Sequence, residues 1–278
     1  MRTLIIFALY ACAYGFGRPF VLVCNQFADM VLHKIFFCSI ILLSVIVCPA
    51  MAPTHDSITE SHSPTEAEEC ADIYNSMHLE GVVNFKAFRI AYAGYNKIIN
   101  RNKDILTLID FSKPSTEKRL FVFDMKKKQL MFSSLVSHGR NSGDNYATSF
   151  SNEYGSYKSS LGCFLTETTY NGKNGYSLIL NGLEKGINDR AKERAIVVHG
   201  ASYANPSVIS CGGRLGRSLG CPALPQKVAK PIIDAIKGGS VMYIFAEKPE
   251  YLAKSTIVGD IALPSESSGY NNKTENKF

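Results

Sequence analysis

No Cys-x-x-Cys pair occurs in the chain and its six histidines are scattered, so the ligand spacing of a zinc site is missing and no metal or other cofactor is expected. Basic charge is not clustered either. The net charge of +6 is dispersed, and Lys126-Lys127-Lys128 reads as a solvated hairpin turn, which excludes a nucleic-acid groove. Long apolar runs are also missing: residues 35–47 fall short of the roughly 20 apolar residues that cross a bilayer. No stable membrane span is expected once a leader is removed.

What is present begins with that leader. From Met30 the chain places Lys34 before the apolar residues 35–47, then Ala50-Met51-Ala52, the charge, core and small-x-small site of a secretory signal cleaved after Ala52. Val47 is too bulky before Cys48 for a lipoprotein site. A second apolar stretch, residues 4–16, precedes this signal, so residues 1–29 read as an over-extended start. The remainder divides into a linker at 53–63, a helical lead-in at 64–103, a β-rich domain at 104–248 and a polar, fraying tail at 249–278.

Ser63-Pro64-Thr65-Glu66 offers an N-cap, a proline at the first helical position and acids in the first turn, which predicts a helix to about Leu79. Asn84 caps a second over residues 85–99, with Phe88, Ala91, Tyr92 and Tyr95 on one face. Short branched and aromatic runs follow at 105–110, 120–124, 129–137, 162–166 and 176–180. Asn171-Gly172-Lys173-Asn174-Gly175 suits a hairpin. A helix at 225–236, stopped by Gly238-Gly239, leads to a last strand at 240–245. The fold class is β-rich α+β with N-terminal helices packed on the sheet.

The chemistry concentrates in residues 194–225, RAIVVHGASYANPSVISCGGRLGRSLGCPALP. Residues 195–198 form a short strand that His199-Gly200 would end, and the following loop brings Cys221 back toward it. A cysteine taken alone is usually a small buried apolar residue. In Ser218-Leu219-Gly220-Cys221, however, glycine removes a Cβ beside the sulfur, and successive N–H groups can face a developing oxyanion. Arg214 and Arg217 are expected to favour the thiolate at an electropositive turn. The pattern reads as a thiol active site with His199 as base and Cys221 as nucleophile.

At these residues the chain resembles the L,D-transpeptidase catalytic domain, whose signature is His-Gly, a variable loop, then Ser-x-Gly-Cys. It is most similar to the murein-transpeptidase branch. Residues 136–143, VSHGRNSG, with Phe150-Ser151-Asn152, Tyr176-Ser177-Leu178 and Leu183-Glu184, extend the likeness over about 104–245. The resemblance implies a twisted β-sandwich or barrel. It implies that the Gly200 carbonyl orients His199, that N–H groups around Leu219, Gly220 and Cys221 form an oxyanion hole, and that Ser218 braces the loop or touches substrate. Many relatives carry an arginine two places after the cysteine; here Ala223 stands there, so that role falls to Arg214 or Arg217 or is absent. His138, also before a glycine, lines the substrate cleft or holds its own loop.

The substrate implied is a peptidoglycan stem tetrapeptide, cut before its terminal D-alanine through a Cys221 thioester and passed to an amine on a neighbouring stem. Hydrolysis, as in an L,D-carboxypeptidase or endopeptidase, and an inactive wall-binding protein are the alternatives. The location implied is the periplasm or cell envelope. Beyond the leader stand Cys70, Cys163, Cys211 and Cys221. If Cys221 is free, at most one disulfide forms among the others, with Cys163–Cys211 one option.

Overall fold

The computed structural model describes residues 63–261. The leader with its cleavage site, the linker up to residue 62 and the tail beyond residue 261 lie outside the described residues.

Helix α1, Glu66–Ser76, starts two residues later than the proline pattern predicts. Thr65 is the N-cap: its hydroxyl accepts the Glu68 N–H at 3.3 Å, while the Glu68 carboxylate takes the Thr65 N–H at 2.8 Å. This reciprocal box satisfies two orphan donors, while Glu66, the residue that could close the same box on Ser63, accepts from Asn96 instead, and Pro64 stays outside the helix. Helix α2, Phe85–Lys97, is capped by Asn84, whose side chain accepts from the Ala87 N–H at 3.1 Å. Its buried face, with Phe88, Ala91 and Tyr95, includes the predicted stripe, and Phe88 meets Phe123 edge-on at 5.3 Å.

Eight strands make one sheet: β1 Ile105–Asp110, β2 Leu120–Asp124, β3 Gln129–Ser134, β4 Gly162–Gly172, β5 Gly175–Gly182, β6 Val197–Ala201, β7 Ala223–Pro225 and β8 Val241–Phe245. Their order is β3-β2-β1-β8-β4-β5-β6-β7. Two pairs run parallel, β1 with β8 and β6 with β7; the others are antiparallel. β1 and β8 lie inside the sheet and are buried along almost their whole length; β8 reads as an unbroken apolar run, while β1 also buries Thr107 and Asp110. Helix α2 covers one face over β1 and β8. On the β6 and β7 side lies α4, Gln226–Ile236, which follows α3, Pro206–Gly212. The hairpin between β4 and β5 turns at Gly172 and Gly175, as the sequence predicts.

The edges β3 and β7 approach each other. The strand predicted over 129–137 stops at Ser134, and Ser137 instead forms an antiparallel bridge with Ala223 of β7, with N···O distances of 2.8 and 3.3 Å. The sheet is therefore nearly closed, a barrel-like solution that leaves little edge unpaired.

Residues 249–261 depart from the expected fraying. Helix α5, Pro249–Leu252, buries Tyr251, whose hydroxyl donates to the buried Glu184 carboxylate at 2.9 Å; Ser255 donates to the same group. One buried carboxylate thus pins this segment to the domain. The four cysteines among the described residues are free: Cys163 is buried and Cys211 exposed, so that pairing is not formed. No helix among the described residues is long and apolar enough to cross a membrane.

Candidate active site

β6 carries the imidazole. His199 sits in the middle of this strand rather than at its end, because the backbone is paired on both sides: His199 lies opposite Ser177 of β5 and opposite Ala223 of β7. The predicted strand at 195–198 is shifted forward because Ala195 adopts a left-handed conformation, φ 54°, which turns the chain before Val197. His199 Nδ1 lies 3.1 Å from the Gly200 carbonyl. A carbonyl only accepts, so the network assigns the proton to Nδ1 and leaves a lone pair on Nε2. Burial lowers the His199 pKa below its ordinary value, the bond to Gly200 opposing. The ring is therefore neutral at pH 7, the form a base requires.

Cys221 is reached through the loop after α3. Its thiol is not at an exposed electropositive edge: the residue is 8% accessible. Sγ takes the Val197 N–H at 3.4 Å and faces the Ala195 carbonyl at 3.6 Å, and no hydrogen bond to His199 is formed in this conformation. Burial raises the Cys221 pKa, while the Val197 N–H and the Arg194 charge oppose it. The resting pair is a thiol and a neutral imidazole.

The turn holding the sulfur is heavily braced. Ser218 is buried; its Oγ donates to the Cys221 carbonyl at 2.6 Å and accepts the Gly220 N–H at 3.1 Å. That N–H, expected in an oxyanion hole, is therefore engaged within the loop. Gly220 has φ +129°, and a Cβ there would stand 2.9 Å from both Ile196 Cδ1 and the Lys158 carbonyl, so only glycine fits. Leu219 is 58% exposed, beside a pocket of about 160 Å³ lined also by Tyr154, Gly155, Tyr157 and Arg194. Ser159 ties the turn to the neighbouring segment, donating to the Gly220 carbonyl at 3.1 Å and accepting the Gly139 N–H at 3.0 Å.

Three residues expected at the substrate each have protein partners. Arg214 pairs with Asp144 at 2.6 Å, and Arg217 reaches Asp144 at 3.4 Å and the Gly143 carbonyl at 2.9 Å. The cation acting on the thiol is Arg194 instead, so the expected thiolate role of Arg214 and Arg217 is corrected. His138, at 1% exposure, lines no cleft. Its Nδ1 faces Arg119 Nη2 at 2.7 Å, its ring meets Phe111 edge-on, and its carbonyl accepts the Ser218 N–H at 2.9 Å. Of its two sequence readings, the loop-holding one matches this position.

Local sequence does not mark Arg194, Ser159 and Arg119 as site residues. Arg194 carried a signal as the charged residue leading into the β6 run. Arg119 and Ser159 carried none, since their partners are distant in the chain. Among the described residues no group of three or more His, Cys, Asp and Glu side chains can hold a metal.

The profile of the L,D-transpeptidase catalytic domain matches residues 79–245, and the chain belongs to that family. No curated protein matches it. Solved structures similar to it include an L,D-transpeptidase from Mycobacterium smegmatis, at 13% identity and TM-score 0.32 over 51% of this chain and 59% of that one. L,D-transpeptidase 1 of Mycobacterium tuberculosis gives 12%, 0.30, 51% and 62% in the same terms. The enzyme from Stackebrandtia nassauensis gives 16%, 0.31, 66% and 80%. The chain thus spans less than two thirds of the length of the two mycobacterial proteins.

Proposed function

We propose that this protein is a cysteine acyltransferase of the cell envelope, an L,D-transpeptidase acting on peptidoglycan stem peptides. The observation that carries the reading is the pairing of β6 with β7, which sets a neutral, Nδ1-protonated His199 on the strand beside the one that Cys221 leads into. The family membership supplies the substrate class.

In the reaction the Cys221 Sγ–H proton passes to His199 Nε2 as the sulfur turns from the Ala195 carbonyl toward the donor peptide. The sulfur attacks the carbonyl of the L,D bond, and the terminal D-alanine leaves with the proton returned by the imidazolium. An acceptor amine then gives up its proton to His199 and attacks the thioester carbonyl; the C–S bond breaks, and the Cys221 sulfur takes that proton back from the imidazolium. Oxyanion stabilisation requires the Gly220 N–H to exchange Ser218 Oγ for the developing oxyanion, or the adjacent Leu219 and Cys221 N–H groups to serve in its place. On the first route Ser218 is a brace that releases a donor when substrate arrives; on the second it keeps the turn fixed throughout. The leader reading supplies export across the inner membrane to the periplasm.

The test is incubation of the purified protein with a tetrapeptide muropeptide, with and without an acceptor stem, followed by mass spectrometry. Crosslinked dimer supports transfer, and tripeptide alone replaces it with hydrolysis. Cys221→Ala abolishes both products. Unchanged substrate with the intact protein, together with no thioester or carbapenem adduct at Cys221, overturns the enzymatic reading.

A further inference from the structure

Arg194 is a half-buried guanidinium whose hydrogen bonds all go to neutral acceptors. Nη1 donates to the Ser151 carbonyl at 2.7 Å and to Ser160 Oγ at 2.5 Å; Nη2 donates to the Lys158 carbonyl at 2.6 Å and to Ser156 Oγ at 3.3 Å. Among the described residues it makes no ion pair, since the nearby carboxylates Glu153 and Glu193 are both taken by Arg190. Its orientation is fixed by four contacts to neutral acceptors, and the charge of Glu153, held by Arg190, reaches it only through space. A position 3.5 Å from Nη2 is where a Cβ on Gly220 would stand, so the charge lies against the residue that precedes the nucleophile.

We propose that Arg194 is the fixed counter-charge of the Cys221 thiolate, a positioning residue that holds the loop 151–160 against the nucleophile turn and stabilises the sulfur once it ionises. The inference rests on the acyl-transfer reading above. It deepens that reading by identifying which cation takes the place of the arginine missing at Ala223. The proton balance is simple: Sγ–H breaks, the proton moves to His199 Nε2, and the guanidinium keeps its own five N–H protons throughout.

The arrangement suits a delayed activation. In the resting state the sulfur is buried and protonated, and burial outweighs Arg194. A unit charge close to a poorly solvated thiolate interacts more strongly than it would in water. The other ionisable groups around the sulfur do not substitute for it. His199 is neutral, and Tyr203 has a phenol pushed up to about 12 by burial and, less, by Cys221. Lys158 Nζ donates away from the turn, to Ser149 Oγ at 2.8 Å, and Arg140 lies over the Tyr157 ring at 4.2 Å. Arg214 and Arg217 face Asp144.

The experiment needs no peptidoglycan, so its outcome is separate from the fate of the transpeptidase assignment. The rate of Cys221 alkylation by iodoacetamide is followed from pH 6 to 10 by peptide mass spectrometry, which separates Cys221 from the exposed Cys211. Arg194→Gln is expected to raise the apparent thiol pKa and slow alkylation at pH 7.5 by about tenfold, the effect of one pKa unit. Arg194→Lys, which keeps a charge, is expected to recover most of that loss. A thiol titration in Arg194→Gln that matches the unsubstituted protein, with unchanged melting temperature, overturns the proposal and leaves Arg194 a loop brace.

Should Arg194→Gln fail to fold, the unsubstituted protein still decides the question. The Arg194 Nε–H resonance, assigned by its absence in Arg194→Lys, is expected to move with the same midpoint as the Cys221 alkylation. Cys221→Ser is expected to abolish that movement. A resonance indifferent to pH across the thiol titration overturns the proposal.

Discussion

Two His-Gly dipeptides flank the nucleophile turn, His138-Gly139 after β3 and His199-Gly200 within β6, and they have opposite surroundings. Both imidazoles are buried. His199 turns Nδ1 to a carbonyl, which makes it a hydrogen-bond donor there and frees Nε2 to accept. His138 turns Nδ1 to the guanidinium of Arg119, which makes that nitrogen an acceptor and puts its proton on Nε2; the Gly143 backbone near the ring only partly opposes the fall in its pKa. Burial and the adjacent Arg119 charge push the His138 pKa down to about 4. The same dipeptide presents a free ring nitrogen suited to the proposed base in one place and a strut in the other, and the neighbour of Nδ1 decides which.

The sharpest way to break this contrast is substitution of each ring. His199→Gln should lower acyl transfer by about 10²–10⁴, the range for a lost general base, with little change in melting temperature. His138→Gln should instead retain activity within a few-fold while losing about 1–3 kcal/mol of stability through the disturbed Arg119 contact. Muropeptide turnover and urea unfolding of both variants decide it. Loss of turnover in stable His138→Gln would make His138 part of the chemistry.

A second effect of similar size is pH dependence of stability. The unfolded His138 takes a proton near pH 6.5, and the folded ring refuses it until about pH 4, so the unfolded state binds more protons between these values. Stability from this group is therefore lost as pH falls from about 6.5 to 4, by at most about 3 kcal/mol. Urea unfolding at pH 7 and pH 4.5 should show the loss, and His138→Gln should remove that share of it. An identical pH slope in the variant would show that the ring is not the sensor.

The glycines sharpen the comparison with a smaller effect. A Cβ on Gly139 would stand 2.5 Å from the Tyr157 carbonyl oxygen, 2.9 Å from the Ser159 nitrogen and 3.0 Å from Gly220 Cα, all backbone. On Gly200 the closest atom is the Ala229 methyl, at 2.9 Å. Gly139→Ala should cost about 1–3 kcal/mol by overpacking and displace the turn that carries Cys221, whereas Gly200→Ala should cost less and spare turnover. Thermal melts and the transfer assay on the two variants rank them; the reverse order would refute the tight contact at Gly139.

Local patterns carried most of the architecture. Period and turn residues located every strand from β1 to β8 except the short β7, and the Asn84 cap located α2, because those signals act within a few residues. The Thr65 cap was missed in favour of Ser63, since the deciding bond comes from Glu68. Ser137 left its strand because Ala223 offered a bridge far along the chain. Tyr251 was read as tail because Glu184 is remote in sequence. At the site, the His-Gly and Ser-x-Gly-Cys words drew attention to His199 and Cys221, whereas the pairing of Arg214 and Arg217 with Asp144 lay beyond local inspection. Arg119, fully buried and anchored on the Val136 carbonyl, shows the limit: nothing near it in sequence announces a buried charge.

β6 and β7 are parallel, and parallel neighbours cannot be joined by a tight turn. The chain between Ala201 and Ala223 must make an outward excursion, and its helix α3 buries no side chain. Within it, the buried Leu215 and the braced turn at Ser218 and Cys221 are tied to the domain, whereas α3 is not. The outer contour of this protein can therefore be altered at α3 without touching the residues that pair β6 with β7.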